Sequence, residues 1–138
     1  MTDPLPFYER FTAAARKIML VANREADQHG HDYVGNLHIL FAAIETAPEV
    51  LTSASVNIEH LRDATGERLR RTPTAGAKTT IMNALAESQS RGDDVVDVRH
   101  VLIGMMTNPD ETVAAVFDGV GIHLDDVRQL LIEGLDAD

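Results

Sequence analysis

The chain contains an internal repeat that fixes most of its architecture. Residues 12–40 and 74–102 align without a gap at an offset of 62, and ten of the 29 aligned positions are identical. The identical pairs are Thr12/Thr74, Ala13/Ala75, Ala15/Ala77, Ala22/Ala84, Glu25/Glu87, Gly30/Gly92, Asp32/Asp94, Val34/Val96, His38/His100 and Leu40/Leu102. Unrelated segments of ordinary composition would share roughly two. The repeat therefore predicts two copies of one helical unit, with grooves where the copies meet.

The first copy is predicted to form four helices. Thr12 is a good N-cap residue, and the apolar or small residues that follow it recur every three or four positions until a stop at Gly30. Asn36 is placed to cap a second helix, and Pro48 to lie in the first turn of a short third one. A fourth helix is predicted from residue 58 to about residue 69.

The second copy repeats this order of signals. Thr74 is predicted to cap its first helix, Gly92 to end that helix and Asp97 to cap the next. Pro109 is predicted to begin a third helix, and a last one is predicted over 124–135. Strand-like alternation is confined to the brief run VVDV at 95–98.

These signals predict an all-α fold with eight helices, arranged as two pseudo-twofold-related repeats in one domain spanning about 7–135. The first repeat covers about 7–70 and the second about 74–135. The joint between them, RRTPTAGAK at 70–78, is the only stretch where proline, threonine and glycine crowd together. Because this joint is short, we expect two packed halves rather than two independent domains.

The composition excludes several classes of protein. The 138 residues include 12 Lys or Arg and 22 Asp or Glu, a net charge of −10 that disfavours a nucleic-acid partner. There is no cysteine for a disulfide or a thiolate metal site. No apolar run approaches the ~20 residues that would cross a bilayer, and the first ten residues do not resemble a signal peptide. We expect a cytoplasmic protein with no membrane partner.

The histidines are predicted to be structural rather than metal-binding. His29, His31 and His38 lack the spacing of a helical zinc site, so no metal is expected. His38 and His100 recur by duplication in the first turn of each second helix, which favours a ring that bonds to neighbouring backbone and joins helices. No phosphate-binding loop and no nucleophile setting is present, so we expect neither a cofactor nor catalysis.

Several motifs of the first copy are specific enough to show a resemblance. They are Tyr8-Glu9-Arg10-Phe11-Thr12, Ala15-Arg16, Glu25-Ala26, Gly30-His31-Asp32-Tyr33-Val34-Gly35 and His38-Ile39-Leu40. They resemble the repeat of the N-terminal domain of Clp-family AAA+ unfoldases, especially ClpC, and the second copy matches it more weakly. The likeness covers about residues 7–135.

The resemblance implies a non-enzymatic module that binds adaptors, peptide segments of substrates and cyclomarin-like cyclic-peptide antibiotics. Such a protein would regulate or protect a Clp protease by capturing the ligands of the ClpC N-domain, as a stand-alone ClpC N-domain homologue of the actinobacterial kind. One alternative is the excised N-domain of a full-length Clp unfoldase. Another is a structural dimerisation module that uses the groove between the repeats.

The resemblance also implies two ligand sites, one of which is altered. In ClpC a glutamate of each repeat helps to form a pocket for phosphoarginine, and here those two positions are Leu37 and Arg99. Since both carboxylates are lost and Arg99 would repel a guanidinium, the sequence predicts that phosphoarginine does not bind.

The second site implied by the resemblance lies across the two repeat starts and takes cyclic peptides. The corresponding positions here are Tyr8, Phe11, Thr12, Arg16, Pro73, Thr74 and Lys78. One aromatic residue of the family is lost at Pro73, whereas the basic positions persist as Arg16 and Lys78. We expect Tyr8 to be the aromatic anchor, with Arg16 and Lys78 donating to peptide carbonyls. For Phe11, burial in the core is the alternative to ligand contact.

Overall fold

The computed structural model describes residues 9–31, 33–71 and 77–136, without the side chain of Arg71. This part of the chain forms eight helices and no strand longer than a single bridge, so the predicted all-α class is confirmed. The helices are α1 (Ala13–Gln28), α2 (Asn36–Thr46), α3 (Pro48–Thr52), α4 (Ile58–Arg71), α5 (Lys78–Ser90), α6 (Val98–Thr107), α7 (Glu111–Gly119) and α8 (Leu124–Asp136).

The two halves use equivalent residues for equivalent purposes. Helices α1 and α5 bury Ala22 and Ala84, which are 62 residues apart, in the middle of their inner faces. Both helices are followed by a glycine with positive φ, Gly30 at 70° and Gly92 at 73°, as the predicted stops require. The exact bounds of the repeats, at 7–70 and 74–135, stay a prediction because residues 7, 8 and 72–76 lie outside the described residues.

The predicted caps are confirmed at Thr12 and Asp97 and wrong at two other positions. The Thr12 hydroxyl accepts a hydrogen bond from the Ala15 N–H at 3.1 Å, and Asp97 directly precedes α6. Asn36 is already the first residue of α2, and the residue before it, Gly35, occupies the N-cap position. Helix α5 begins at Lys78, with Ala77 in the N-cap position, one turn later than a cap at Thr74 would place it.

Helices α2 and α6 form the centre of the molecule. Almost every side chain of α6 from Val98 to Met106 is buried, and α6 packs against α5, α8, α1 and α2. It approaches α5 especially closely at Gly104, where a Cβ would lie 2.6 Å from the Thr80 carbonyl oxygen. A side chain larger than hydrogen at this position would force the two helices apart.

The segments that precede α1 and α6 are hydrogen-bonded to each other across the halves. The Thr12 N–H donates to the Val96 carbonyl at 2.9 Å, and the Val96 N–H donates to the Arg10 carbonyl at 2.8 Å. The Thr12 hydroxyl also donates to Asp97 Oδ1 at 2.7 Å. The strand-like run at 95–98 is therefore one parallel bridge, between Phe11 and Val96, that joins the first half to the second.

A buried amide provides the second connection between the halves. Asn36, which is 4% exposed, accepts a hydrogen bond from the Thr80 hydroxyl at 2.6 Å and donates one to Asp110 Oδ2 at 2.7 Å. The other carboxylate oxygen of Asp110 caps α7 by accepting from the Val113 N–H at 2.9 Å. One side chain thus links the first turns of α2 and α5 with the start of α7.

The two repeated histidines bond to backbone, in agreement with their structural interpretation. His38 Nδ1 accepts from the Gly35 N–H and His100 Nδ1 accepts from the Asp97 N–H, both at 2.8 Å. The other ring nitrogen of His100 lies 2.8 Å from Asp93 Oδ2. The corresponding nitrogen of His38 lies 2.7 Å from His31 Nδ1 instead. Burial, and secondarily His31 and His29 nearby, lowers the pKa of His38 from 6.5 to about 4.

The lowered pKa of His38 predicts a loss of stability in mild acid. Because the unfolded chain takes up this proton near pH 6.5 and the folded protein only near pH 4, stability is fully present at pH 7 and falls as the pH drops between these values. We expect about 1–2 kcal/mol to be lost between pH 7 and pH 5 through this residue. His38→Gln keeps an acceptor for the helix start and should flatten the profile, measured by urea unfolding at each pH.

His60→Gln is the matched control, since His60 is exposed on α4. It should leave the pH profile of the parent protein unchanged. An equal acid loss in the parent protein and in His38→Gln would contradict the assignment.

The Asn36 contact predicts an unequal cost for single and double substitutions. Asn36→Ala leaves the buried Thr80 hydroxyl without its acceptor, and we expect a loss of about 2–4 kcal/mol in the free energy of unfolding. Asn36→Val with Thr80→Ile copies the apolar pair that the other half has at the equivalent positions, Val98 and Ile18. This double variant should recover at least half of the loss in urea unfolding. The single variants Asn36→Val and Thr80→Ile complete the comparison. A loss in the double variant as large as the sum of the losses in these two would argue against the contact's role.

Candidate ligand-binding surface

The structure places Phe11 and Thr12 in supporting positions at the start of α1. Phe11 is 4% exposed and belongs to the core, which is the alternative stated for it above. The Thr12 hydroxyl is engaged with the Ala15 N–H and with Asp97. Both residues hold the beginning of α1 against the second half, so a ligand surface here would be formed by neighbouring residues.

The two basic residues are exposed at the beginnings of α1 and α5. Arg16 lies in the first turn of α1, where its guanidinium donates to the Glu9 carbonyl at 2.9 Å. Lys78 is the first residue of α5. The remaining predicted contacts, Tyr8, Pro73 and Thr74, lie outside the described residues and stay predictions.

An exposed apolar pair next to these cations was missed in the sequence. Leu20 and Met82 are 59% and 52% exposed, and they occupy equivalent positions 62 residues apart. Each lies four residues after the basic residue of its helix, so cation and apolar side chain share one helix face a turn apart. The aligned repeats contained the signal, because Leu20 and Met82 fall outside the buried stripe of each helix.

The two altered phosphoarginine positions lie in different surroundings. Leu37 is fully buried in the first turn of α2. Arg99 is half-buried and packs against α8, where a Cβ at Gly134 would lie 2.7 Å from its Nε. A carboxylate introduced at position 37 would therefore be desolvated, which makes Leu37→Glu a substitution expected to destabilise the fold.

Neither a metal centre nor a membrane span is found in the described part of the chain. No group of three or more His, Asp or Glu side chains there could hold a metal ion. His29 and His31 stack with ring centroids 5.6 Å apart, and His31 is bonded to His38. Among the described residues, no helix is both long and apolar enough to cross a bilayer.

Solved structures share this fold across nearly the whole chain. The N-terminal domain of Hsp104 from Candida albicans has a TM-score of 0.80 at 20% identity and covers 93% of each chain. The N-terminal domain of the chaperone ClpD from Arabidopsis thaliana has a TM-score of 0.78 at 18% identity, covering 98% of this chain and 99% of that one. Both likenesses concern the fold.

Curated relatives match the chain over a similar extent, but only with a small part of their own length. The ClpA homologue of Guillardia theta, an ATP-binding subunit of the Clp protease, is 28% identical over 91% of this chain and 17% of its own. ClpC/MecB of Bacillus subtilis, named as a negative regulator of genetic competence, is 25% identical over 91% of this chain and 17% of its own. The chain thus spans about a sixth of the length of these relatives.

The match to a family is direct. The Clp repeat (R) N-terminal domain family matches residues 10–80, which are 71 of the 138 residues and include all of α1 to α4. Together with the fold and the repeated helix pattern, this match confirms the resemblance found in the sequence. The chain belongs to the Clp repeat N-terminal domain family.

Proposed function

We propose that this protein is a non-catalytic binding module that captures apolar peptide-like ligands on the exposed faces of α1 and α5. The ligands are segments of protease substrates, Clp adaptors or cyclomarin-like cyclic peptides. By holding them, the protein regulates or protects a Clp protease in the cytoplasm. The proposal rests on one arrangement that occurs in both halves: a basic residue followed four positions later by an exposed apolar one, Arg16 and Leu20 on α1 and Lys78 and Met82 on α5.

The exposure of this pair supports binding rather than core packing. Large apolar side chains that are exposed in the described residues are few: Leu20, Tyr33, Met82, Val95 and Leu130. Two of these five recur at equivalent positions of the two halves, next to a cation in each case. Exposed apolar surface with adjacent polar groups is characteristic of sites for protein or peptide partners.

The chemistry of the face suits a peptide backbone with apolar side chains. Leu20 and Met82 offer apolar contact, and the flexible thioether of Met82 adapts to ligands of different shape. Arg16 and Lys78 supply N–H donors for the carbonyl oxygens of the ligand. Both α1 and α5 pack against α6, so one rigid helix supports both faces.

A second candidate function follows from the length of the relatives. The chain covers 17% of the ClpC and ClpA relatives, and its family is an N-terminal domain, so it corresponds to their N-terminal part. In this alternative the same surface presents substrates or adaptors to an attached AAA+ unfoldase. The reading frame around the gene distinguishes the two candidates, whereas the ligand surface is common to both.

The apolar pair predicts the effect of removing it. Leu20→Ser with Met82→Ser should weaken binding of a cyclomarin-like cyclic peptide by about thirtyfold, because we assign this pair as the central anchor of the site and loss of such an anchor costs about 2 kcal/mol of binding free energy. Tyr8→Ala should weaken it by a similar factor. Isothermal titration calorimetry measures both effects, with circular dichroism to establish that folding is unchanged.

Leu130→Ser is the control for the loss of an exposed leucine, since Leu130 lies on α8 and is 37% exposed. It should bind the peptide as the parent protein does. Absence of binding by the parent protein, or equal binding by the double serine variant, would remove this face as the site.

Loss of the two carboxylates predicts the response to phosphoarginine. Calorimetric titration with free phosphoarginine should give no appreciable binding, since neither Leu37 nor Arg99 can accept from a guanidinium. Arg99→Glu restores one acceptor without placing a charge in the core and should give weak binding. Tight binding by the parent protein would show that the altered positions do not form this pocket.

A further inference from the structure

The first half contains an open cleft that the apolar face of α1 and α5 does not use. It has a volume of about 490 Å³ and lies between the end of α1, α2 and α4. Its lining residues are His29, Phe41, Arg62, Asp63, Gly66, Glu67 and Arg70. At its floor, the ring of Phe41 lies 3.8 Å from where a Cβ of Gly66 would be.

The second half shows how the equivalent place is closed. The buried positions of α4 and α8 correspond at an offset of 66, since Val127 lies 66 residues after Leu61 and Leu131 lies 66 after Thr65. At this offset Gly66 corresponds to Ile132, which packs against the core. Arg70 then corresponds to Asp136.

The ion pair between Arg91 and Asp136 in the second half has no counterpart in the first, because the equivalent residues are His29 and Arg70. Arg91, at the end of α5, is bonded to Asp136 and lies 3.7 Å from Glu87. The residue equivalent to Arg91 is His29. It lies 3.5 Å from Glu25, the counterpart of Glu87, and it lines the cleft together with Arg70, at whose position the second half has Asp136. The first half thus lacks both the aliphatic side chain and the carboxylate that occupy this place in the second.

The cations of the cleft form a regular stripe on α4. Arg62, Gly66 and Arg70 recur every four residues, so the two arginines are about 12 Å apart along the helix, with a gap between them over Phe41. Arg62 Nε is buried and makes no hydrogen bond among the described residues. Such a stripe matches a ligand with an anionic group at each end and an apolar group in the middle.

The carboxylates near this stripe do not neutralise it firmly. Glu67 lies 3.3 Å from Arg70, but both side chains are more than half exposed. Glu45 lies 3.5 Å from Arg62, and these side chains are each about 40% exposed. Exposed ion pairs of this kind contribute little, so the arginines remain able to exchange them for a ligand's carboxylates. Asp63 also lines the cleft, and its side chain is exposed.

We propose that this cleft is a second binding site, for an extended peptide segment with an apolar side chain between two acidic residues. The apolar side chain fills the gap at Gly66 over Phe41, and the flanking carboxylates accept hydrogen bonds from Arg62 and Arg70. In an extended peptide, residues four apart are about 13 Å apart, close to the spacing of the two arginines. The site is independent of the proposed α1 and α5 face.

The test uses a fluorescent peptide, acetyl-Gly-Glu-Ser-Leu-Ser-Glu-Gly-amide, and measures its dissociation constant by anisotropy. The parent protein should bind it at least tenfold more tightly than the same peptide with lysine for both glutamates or with glycine for leucine. Arg62→Glu with Arg70→Glu should weaken binding by at least about tenfold, the size of one lost charge-assisted hydrogen bond. Arg24→Glu, an exposed arginine elsewhere on α1, should not.

Gly66→Ile copies the closed second half and should abolish binding while leaving the helical circular dichroism unchanged, since its Cβ meets only an ordinary contact. If Gly66→Ile does not fold, the double arginine variant decides. Leu20→Ser with Met82→Ser should bind the acidic peptide normally, which separates this site from the proposed function. No binding by the parent protein, indifference to peptide charge, or unchanged binding by the double arginine variant would each overturn the proposal.

Discussion

The arrangement of the two halves depends on the buried amide of Asn36. Its hydrogen bonds to Thr80 and Asp110 join the first turns of α2 and α5 to the start of α7. A buried amide is tolerated only when its donor and acceptor are both satisfied, so few relative positions of these helices are acceptable. The bridge between Phe11 and Val96 adds backbone hydrogen bonds at a second place. These contacts keep α1 and α5 in a fixed relation to α6 and thereby position the proposed ligand face.

The two repeats differ in the charged side chains that they hold at equivalent positions. His38, in the first turn of α2, lies 2.7 Å from His31, whereas its counterpart His100 lies 2.8 Å from Asp93. A carboxylate is also lost at the last turns of α4 and α8, where the first half has Arg70 and the second half has Asp136. Each change removes a carboxylate from the first half. In the first half, Arg62 and Arg70 are paired with the exposed carboxylates of Glu45 and Glu67, which a ligand's carboxylates can replace.

The sequence predicts the elements of the fold well because their signals are local. Thr12, Gly30 and Pro48 act within one turn of their own position, and the structure confirms each of them. Asparagine is a residue type that commonly caps helices, yet the side chain of Asn36 forms hydrogen bonds that connect the two halves. Its partners lie 44 and 74 residues away along the chain. No local pattern distinguishes these two roles.

The candidate sites differ in how far the sequence could reveal them. Leu20 and Met82 were visible in the aligned repeats as apolar residues outside the buried stripes. The cleft was not visible in the aligned repeats. It exists because Gly66 has no side chain to fill the space over Phe41. In addition, equivalent residues are 62 apart in α1 and α5 but 66 apart in α4 and α8, so an alignment at 62 does not compare Gly66 with Ile132. The predicted contacts that lie outside the described residues, Tyr8, Pro73 and Thr74, still depend on the resemblance alone.

The overall charge determines what kind of binding the cations can support. With a net charge of −10, the protein repels acidic partners at distances beyond about 10 Å in low salt. An acidic peptide is therefore not steered to the cleft from afar, and its binding depends on close contact with Arg62 and Arg70. Added salt screens the general repulsion as well as the local attraction, so the two effects oppose each other. The apolar contact over Phe41 is insensitive to both, which is why the central side chain of the peptide should matter as much as its charges.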